Sequence, residues 1–200
     1  AQGQQLLNDA GWVDNDGDGI RERGRVKLAF DYASGPPDSV FRQTLMELVQ
    51  SQLRTNCGID LQGELHPPEA LYDLFPTGLL FGRRFDLGEF SWRTGIEPPC
   101  DLYLSQAIPS EQNRGGANDT GYSNPAFDEA CRAARSALDA ATRNEKHAEA
   151  QAIFTQDLPS LPLFWRVQAG VARPRVDNYR PDATANSDLW NIEAIGLTSP

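Results

Sequence analysis

Three aspartates at alternate positions, Asp14, Asp16 and Asp18, run into Gly19 and form the front half of a loop for a hard cation. Alternating carboxylates bring oxygen ligands one after another around a tight turn, and glycine allows the backbone angles that such a turn needs. Calcium is the cation that this oxygen-only chemistry favours. The same residues also suit an acidic turn between a helix and a strand, and the sequence leaves both interpretations open.

The rest of that ligand set is incomplete. An EF-hand loop has a bidentate glutamate at its twelfth position, where this chain has Arg25. The backbone carbonyl of Ile20 and the carboxylate of Glu22 are the remaining ligand candidates. A calcium-dependent structural or adhesive module is therefore one candidate function. Repeats of the loop would favour it, and the chain has one copy.

The elements that position these residues alternate between strands and helices. Period-2 apolar spacing predicts strands at 26–32 and 59–65, and helical spacing predicts a helix between them that begins after Ser39 and ends before Gly58. A strand, a helix and a second strand in this order form a parallel β-α-β unit with a right-handed crossover. The chain is therefore predicted to be an α/β protein.

Further elements are predicted along the rest of the chain. They are a short helix at 69–75, a strand at 85–92, helices from Asn124 and at 142–156, and strands at 161–165 and 169–172. Helical spacing predicts buried faces of Val40, Phe41, Leu45, Leu48, Val49 and Leu53 in the first long helix and of Phe127, Cys131, Ala134 and Leu138 in the helix from Asn124. Residues 93–126 are predicted to be mostly loop. A loop of this length is usually functional or lacks a partner surface.

The three cysteines have no Cys-x-x-Cys spacing, which argues against a zinc site. A bridge between Cys100 and Cys131 would join the long loop to the helix that follows it, and chain entropy would make it worth on the order of 3 to 4 kcal/mol. Cys57 would be left over at a helix end, where a small buried thiol is the ordinary explanation.

Composition excludes several classes of protein. A formal charge of -10 argues against nucleic acid or an anionic membrane surface as a partner, since both need a basic face. No apolar run reaches the roughly 18 residues that a membrane span needs. The first residues lack a secretion signal and begin within the last turns of a helix, so the chain is interpreted as a piece of a longer protein.

Five blocks, in their order along the chain, resemble the family 5 extracellular solute-binding proteins, the receptor subunits of bacterial transporters for peptides, nickel and related solutes. The blocks are Leu6-Leu7 through Ala10-Gly11-Trp12 with 14–22, Phe85-Asp86-Leu87 through Trp92, Asn118 with Gly121-Tyr122-Ser123-Asn124-Pro125-Ala126-Phe127-Asp128, Asp157-Leu158-Pro159-Ser160-Leu161-Pro162-Leu163-Phe164, and Leu189-Trp190-Asn191. Each block is weak alone, but the ordered set is specific and covers nearly the whole chain.

The resemblance implies a type II periplasmic-binding-protein-like lobe with a mixed β-sheet flanked by helices. Proteins of the family are much longer and have two α/β lobes that close over a ligand. The matching blocks belong to the second half, so the chain is expected to be the C-terminal lobe. Its parts would be a truncated helix with the acidic loop at 1–25, an α/β core at 26–175 that carries the long loop, and a tail at 176–200 that returns toward the N-terminal lobe.

For function, the resemblance implies the extracytoplasmic substrate-binding component of an ABC importer. It would capture a small solute, such as a peptide or an oligosaccharide, and deliver it to a membrane permease. The expected partners are that solute, the permease and the N-terminal lobe. The receptor would be a monomer that binds no nucleic acid and requires no cofactor, located in the periplasm or at the cell surface and anchored to the membrane by lipid.

Residues 92–123 would then face the interlobe cleft. The aromatic and polar candidates for ligand binding are Trp92, Arg93, Thr94, Glu97, Tyr103, Ser105, Asn118 and Tyr122. Five of them have an ordinary alternative: packing against the sheet for the tryptophan and the second tyrosine, a solvated ion pair for the arginine and the glutamate, and bracing of a turn for the asparagine.

One departure from the family pattern bears on the ligand. In the peptide-binding members an aspartate shortly after the tryptophan pairs with the amino terminus of the peptide. This chain has Thr94 there, and a neutral hydroxyl does not replace a charge-assisted pair with an ammonium group. Glu97, three residues on, is the alternative source of that charge. Peptides with a free amino terminus are therefore not expected to be the preferred ligand.

Enzyme motifs are weak in this sequence. It has no Gly-x-Ser-x-Gly, no His-Glu-x-x-His and no phosphate-binding glycine loop. A carboxylate-based hydrolase that uses Glu97 and Asp101 is not excluded by their spacing alone. The two histidines, His66 and His147, are expected at the surface. The sequence therefore favours a protein that is not an enzyme.

Overall fold

The computed structural model describes residues 2–92, 94–165, 167, 169–182 and 184–198. The chain divides into two compact units. The first comprises Ala1–Ser91 and Asp101–Asn124, and the second comprises Trp92–Cys100 and Pro125–Pro200.

The first unit opens with a helix and a small ribbon. Helix α1 spans Gln2–Asp9, and Gly11 after it has a positive φ of 80°, as expected of a glycine at a helix C-terminus. The acidic loop leads into strands β1 (Glu22–Arg23) and β2 (Val26–Lys27), which pair antiparallel. The strand predicted at 26–32 is therefore interrupted, because its first two residues turn back on β1 instead of joining the sheet.

A parallel three-stranded sheet forms the centre of this unit. Strand β3 (Ala29–Ser34), helix α2 (Val40–Cys57) and strand β4 (Asp60–Leu65) form a parallel β-α-β unit, which confirms that prediction. Strand β5 (Leu87–Gly88) pairs parallel with the other edge of β3, so the order is β4-β3-β5. The strand predicted at 85–92 is present but much shorter.

The ends of α2 follow local sequence signals. Before the helix, the Ser39 hydroxyl accepts a hydrogen bond from the backbone N–H of Arg42, at 3.3 Å. After it, Gly58 has a left-handed φ of 66°, a conformation that glycine adopts without steric cost. These two residues explain why the predicted boundaries of the helix are correct.

The buried face of α2 differs from the predicted one. Arg42 and Met46 are buried, and Val49 and Leu53 pack in the cluster around Met46, which gives a stripe with spacings of four, three and four residues. The core partners of this stripe are Tyr32 and Leu61. The predicted positions Val40, Phe41 and Leu48 are exposed. These three residues lie beside the buried stripe. The first residue of the stripe is Arg42, a charged residue.

After β4, the first unit continues mostly without regular structure. Helix α3 spans only Pro68–Leu71, so the helix predicted at 69–75 is shorter than expected. Leu71 and Leu80 are fully buried and pack with Ala33 of β3. Residues 101–124 contain neither an α-helix nor a strand of the sheets, in agreement with the predicted loop.

Two helices dominate the second unit. Helix α4 spans Pro125–Ser136 and α5 spans Ala140–Asp157, both close to their predicted positions. They pack through rings such as Phe127 and Phe154, whose centroids are 6.4 Å apart. Leu138 is fully exposed, contrary to its predicted place on the buried face, because α4 ends two residues before it.

The predicted disulfide is present. Cys100 and Cys131 are bonded, with their Cα atoms 5.9 Å apart, so the segment before residue 101 is tied to α4 within the second unit. Cys57, in the first unit, is a free and half-buried thiol. The cysteine pairing inferred from the sequence is therefore confirmed.

The last part of the second unit has little regular structure. Strands β6 (Val176–Asp177) and β7 (Gly196–Leu197) form an antiparallel pair. The strands predicted at 161–165 and 169–172 are not formed by these described residues. A strand needs a neighbour for its backbone groups, and Pro162 supplies no donor. Within the described residues, no helix has the length and apolar character needed to span a bilayer.

Candidate functional site

The acidic loop of the first unit is held by its own side chains. Asp14 accepts hydrogen bonds from the backbone N–H groups of Gly17 and Gly19, at 2.8 and 3.0 Å. Asp16 and Asp18 each accept from the amide two residues further on. Each of the three carboxylates offers an oxygen within 4.8 Å of the others, and all three side chains are exposed. This spacing brings together three of the predicted calcium ligands.

Glu22, in β1, is buried beside this loop. Its side chain is 7% exposed, and Oε1 accepts a hydrogen bond of 2.7 Å from the backbone N–H of Asn15, between the first two aspartates. The other oxygen, Oε2, is buried and has no hydrogen-bond partner. A buried carboxylate oxygen without a donor is costly unless a cation or a further donor compensates it. This orphaned oxygen distinguishes the loop from an ordinary acidic turn.

Lys27 supplies the one positive charge seen among these carboxylates in the described part of the chain. It lies directly opposite Glu22 in the β1–β2 ribbon, but its ammonium group donates to Asp18 and lies 3.5 Å from an oxygen of Asp16. The hydrogen bond from Lys27 lowers the pKa of Asp18, and the same bond raises the pKa of Lys27. Sequence reasoning missed this lysine because it is in a separate strand.

The predicted ligand-binding residues fall in both units, and each unit is described by itself. In the second, Trp92 is 40% exposed and Thr94 is half-buried. Arg93 lies outside the described residues. Glu97 is exposed, and its carboxylate lies 3.4 Å from Nε2 of His147 and 3.9 Å from Nε of Arg143. The carboxylate that the sequence offers for a ligand ammonium group is thus already beside two basic groups of its own unit.

The histidines are less accessible than predicted. The side chain of His147 is 11% exposed beside Glu97, and its Nδ1 is buried without a hydrogen-bond partner. The side chain of His66 is 18% exposed and lies 3.8 Å from Glu64. Both histidines are therefore at the surface only in part, because packing covers much of each imidazole ring although both have polar sequence neighbours.

In the first unit, Asn118 braces the long loop. It is fully buried, and Nδ2 donates to the backbone carbonyls of Leu104 and Tyr122 at 3.0 and 2.8 Å. Its Oδ1 accepts from the hydroxyl of Thr120 at 2.9 Å. Two other candidates, Tyr103 and Tyr122, are half-buried. Ser105 is also half-buried, and its hydroxyl is 3.0 Å from that of Ser123.

Asp119, next to Asn118, was not singled out by the sequence. It is 2% exposed, and its Oδ2 has no hydrogen-bond partner. Burial raises the pKa of its carboxyl group to about 7. In the sequence Asn-Asp-Thr reads as an exposed turn, so only the folded loop reveals this buried acid.

A second buried network lies where two parallel strands end. Ser34, the last residue of β3, donates its hydroxyl to Glu89 just after β5. Glu89 forms a buried ion pair with Arg42 of α2, and Arg42 also donates to the hydroxyl of Ser91 at 2.6 Å. The sequence signal for this network is a charged residue immediately after an apolar strand. The network of Ser34, Glu89, Arg42 and Ser91 fixes the chain where it leaves the sheet after β5.

Known proteins resemble the chain along nearly its whole length. No protein-family model matches it. The oligopeptide-binding protein AppA of Bacillus subtilis is 25% identical over 95% of this chain, and the di/tripeptide-binding protein 2 of Pseudomonas aeruginosa is 26% identical over 88%. The chain spans 33% and 31% of the lengths of these relatives.

Solved structures agree with the sequence matches. The oligopeptide-binding protein from Thermus thermophilus, solved with a pentapeptide, superposes with a TM-score of 0.79 and 25% identity, covering 97% of this chain and 34% of that one. All three of these relatives are peptide-binding proteins by name. The predicted α/β, type II periplasmic-binding-protein-like fold is confirmed, and so is the resemblance of the chain to the family 5 solute-binding proteins.

Proposed function

We propose that this chain is a lobe of the substrate-binding component of an ABC importer. The observation that carries the proposal is the similarity, over nearly the whole chain, to peptide-binding proteins that are about three times as long. The chain would be the C-terminal lobe, and a second lobe of the longer protein would enclose the solute against it. Closure of two lobes over a ligand excludes water and lets each lobe contribute contacts.

The first unit supports this proposal through the edge of its sheet. In open α/β sheets, ligands bind beyond the carboxyl ends of the parallel strands. Here Ser34 and Glu89 lie at that edge, and the buried network with Arg42 holds the outgoing chain in place. We propose that this network positions the segment that continues to Trp92, and that it does not itself contact the solute.

The proposed solute contacts are the accessible members of the predicted set. They are Tyr103, Ser105 and Tyr122 in the first unit and Trp92, Thr94 and Glu97 in the second, with Arg93 proposed from its sequence position alone. Asn118 would act indirectly, because its buried amide holds the backbone on both sides of this loop.

Because the relatives named above are peptide-binding proteins, we propose peptides as the solute class of this chain. Oligosaccharides are the alternative. We propose that a bound peptide is held without a carboxylate at position 94 for its amino terminus. Thr94 is neutral, and Glu97 already has His147 and Arg143 beside it. A ligand ammonium group would therefore compete with two basic side chains for that carboxylate.

A thermal-shift screen of the longer protein that carries this chain tests the receptor function. The probes are di- to pentapeptides, oligosaccharides and nickel complexes, each well above its expected dissociation constant. A solute that binds only the folded protein stabilises it by mass action, by about 2.7 kcal/mol when its concentration is 100 times its Kd. This added stability raises the melting temperature. A rise of several degrees with one class is expected. A folded protein that responds to none of them contradicts the proposal.

The proposed setting is outside the cytoplasmic membrane, with lipid anchorage of the intact protein. The bonded Cys100 and Cys131 support an oxidising compartment, since structural disulfides persist there. The proposed partners are the solute, the second lobe and an ABC permease. The receptor would act as a monomer and require no cofactor for binding.

We also propose that the acidic loop holds a calcium ion. Asp14, Asp16 and Asp18 supply three oxygens that lie within 4.8 Å of one another. Glu22 is held against the loop by the amide of Asn15, and its buried, unpartnered Oε2 supports it as a fourth carboxylate ligand. The carbonyl of Ile20 would complete the set. Calcium suits this irregular site of exposed and buried oxygens better than magnesium, which demands a near-ideal octahedron.

Chelation tests that ion without any solute. Calcium is expected to raise the melting temperature of the chain by several degrees, and chelator to remove the gain, because the ion binds only the folded loop. Glu22→Gln should abolish most of this response, whereas the exposed control Glu69→Gln should keep it. Equal melting temperatures of the wild-type chain with calcium and with chelator would mean that the loop is an ordinary turn.

A further inference from the structure

We infer that Lys27 is an internal competitor of the acidic loop, so that a calcium ion enters by displacing its ammonium group. The inference rests on the calcium site proposed above and adds the regulation of that site. Lys27 and Lys146 are the two lysines of the chain. Lys27 pairs with Asp16 and Asp18 of the acidic loop, and Lys146 pairs with Glu149 in α5.

The ribbon explains how the lysine reaches the loop. Lys27 and Glu22 are directly opposite in the antiparallel pair, and opposite residues project their side chains on the same face. Glu22 turns into the loop toward the amide of Asn15, and Lys27 reaches across to Asp18 and Asp16. The ammonium group therefore lies on the aspartates that a calcium ion would use.

One ammonium group compensates this cluster incompletely. Four carboxylates stand against a single positive charge, and the lysine contacts two of the four. The buried Oε2 of Glu22 keeps no partner while Lys27 is bound to the aspartates. A divalent ion brings twice the charge and accepts six to eight oxygens, so it can also bind the carboxylates that the lysine does not contact.

The lysine is also easy to release. Its side chain is 49% exposed, and those of Asp16 and Asp18 are 55% and 42% exposed, so its ion pairs compete with water. Ion pairs of this exposure contribute little to stability and are screened by salt. Displacement therefore costs little free energy. Each binding event must still include this cost, which weakens the apparent affinity of the loop for calcium. The expected result is a loop that fills at the high calcium concentrations found outside cells.

Calorimetric titration of the chain with calcium chloride tests this competition. Lys27→Met removes the ammonium group and keeps an unbranched side chain, and it should lower the Kd for calcium by about three- to fivefold, which is the size of effect that an exposed ion pair has. Lys146→Met changes the net charge of the chain equally and should leave the Kd within about twofold. The advantage of Lys27→Met should shrink at high ionic strength.

The outcomes separate the two proposals. Equal Kd values for the wild-type chain, Lys27→Met and Lys146→Met would refute the competition and leave the calcium site intact. An equal gain in both lysine variants would also refute it, because only the net charge would matter. No binding by any variant at millimolar calcium would refute the site and the competition together. Circular dichroism checks folding, and Lys27→Gln replaces the methionine variant if that one does not fold.

Discussion

Two acidic sites in the first unit differ in solvent exposure and in hydrogen bonding. In the loop at 14–22, three exposed aspartates accept backbone hydrogen bonds, and two of them, Asp16 and Asp18, share Lys27. Asp119 is buried, and one of its oxygens has no hydrogen-bond partner. Burial raises the pKa of that carboxyl group to about 7, whereas pairing with Lys27 lowers the pKa of Asp18.

The contrast shows that the number of carboxylates does not decide what an acidic site can do. Water and local amides solvate the exposed carboxylates of the loop, so these groups remain available to a cation. A buried single acid loses its solvation and favours its neutral form, which can act as a hydrogen-bond donor. The acidic loop is therefore a candidate ion site, and Asp119 is a source of pH-dependent stability.

Asp119→Asn is the change with the largest expected effect. A pKa near 7 in the folded chain, against 3.8 for the ordinary carboxyl, means that ionising Asp119 costs roughly 4 kcal/mol of stability. That cost is absent below about pH 4, grows as the pH rises toward 7 and is constant above it. The variant should therefore be more stable than wild type at pH 8 and nearly equal to it at pH 4, as measured by urea unfolding.

Asp16→Asn is the matched control in the exposed loop, measured with chelator present. Its side chain stays in water, so its effect on the unfolding free energy should be small. A gain from Asp119→Asn that is the same at pH 4 and pH 8 would contradict this explanation, because it would come from packing and not from charge.

Asn118→Ala should destabilise the first unit by a somewhat smaller amount. The change leaves the buried carbonyl of Leu104 and the half-buried carbonyl of Tyr122 without their amide donor, which costs about 3 kcal/mol in all. Asn113→Ala is the matched control, because its amide donates to the carbonyl of Gln106 at an exposed position. Chemical denaturation measures both. Equal losses in the two variants would show that burial does not set the value of these bonds.

The sequence predicts the parts of the fold that depend on local signals. Ser39 and Gly58 mark the ends of α2, and the apolar alternation around it predicts the parallel β-α-β unit. The predicted buried face of α2 is wrong because the real one includes Arg42, which forms an ion pair with Glu89 from a distant part of the chain. Helical periodicity counts apolar residues, so it does not detect an arginine whose charge is compensated in the folded state.

The candidate sites divide in the same way. The three aspartates of the acidic loop are neighbours in sequence, and their clustering is visible from their spacing. The place of Lys27 depends on a ribbon partner, and the burial of Asp119 depends on how the long loop packs. Glu97 shows the same limit, because its neighbour His147 comes from a helix that begins more than 40 residues later.

Calorimetric titration of the longer protein with one peptide, in free and N-acetylated forms, tests the proposed peptide capture without any mutation. We expect the peptide to bind and acetylation to change its Kd by less than about threefold, because Thr94 is neutral and a ligand ammonium group would compete with His147 and Arg143 for Glu97. Loss of binding on acetylation would contradict the proposed mode of peptide capture. Absence of binding by both forms, for each of the di- to pentapeptides of the thermal-shift screen, would contradict peptide capture itself.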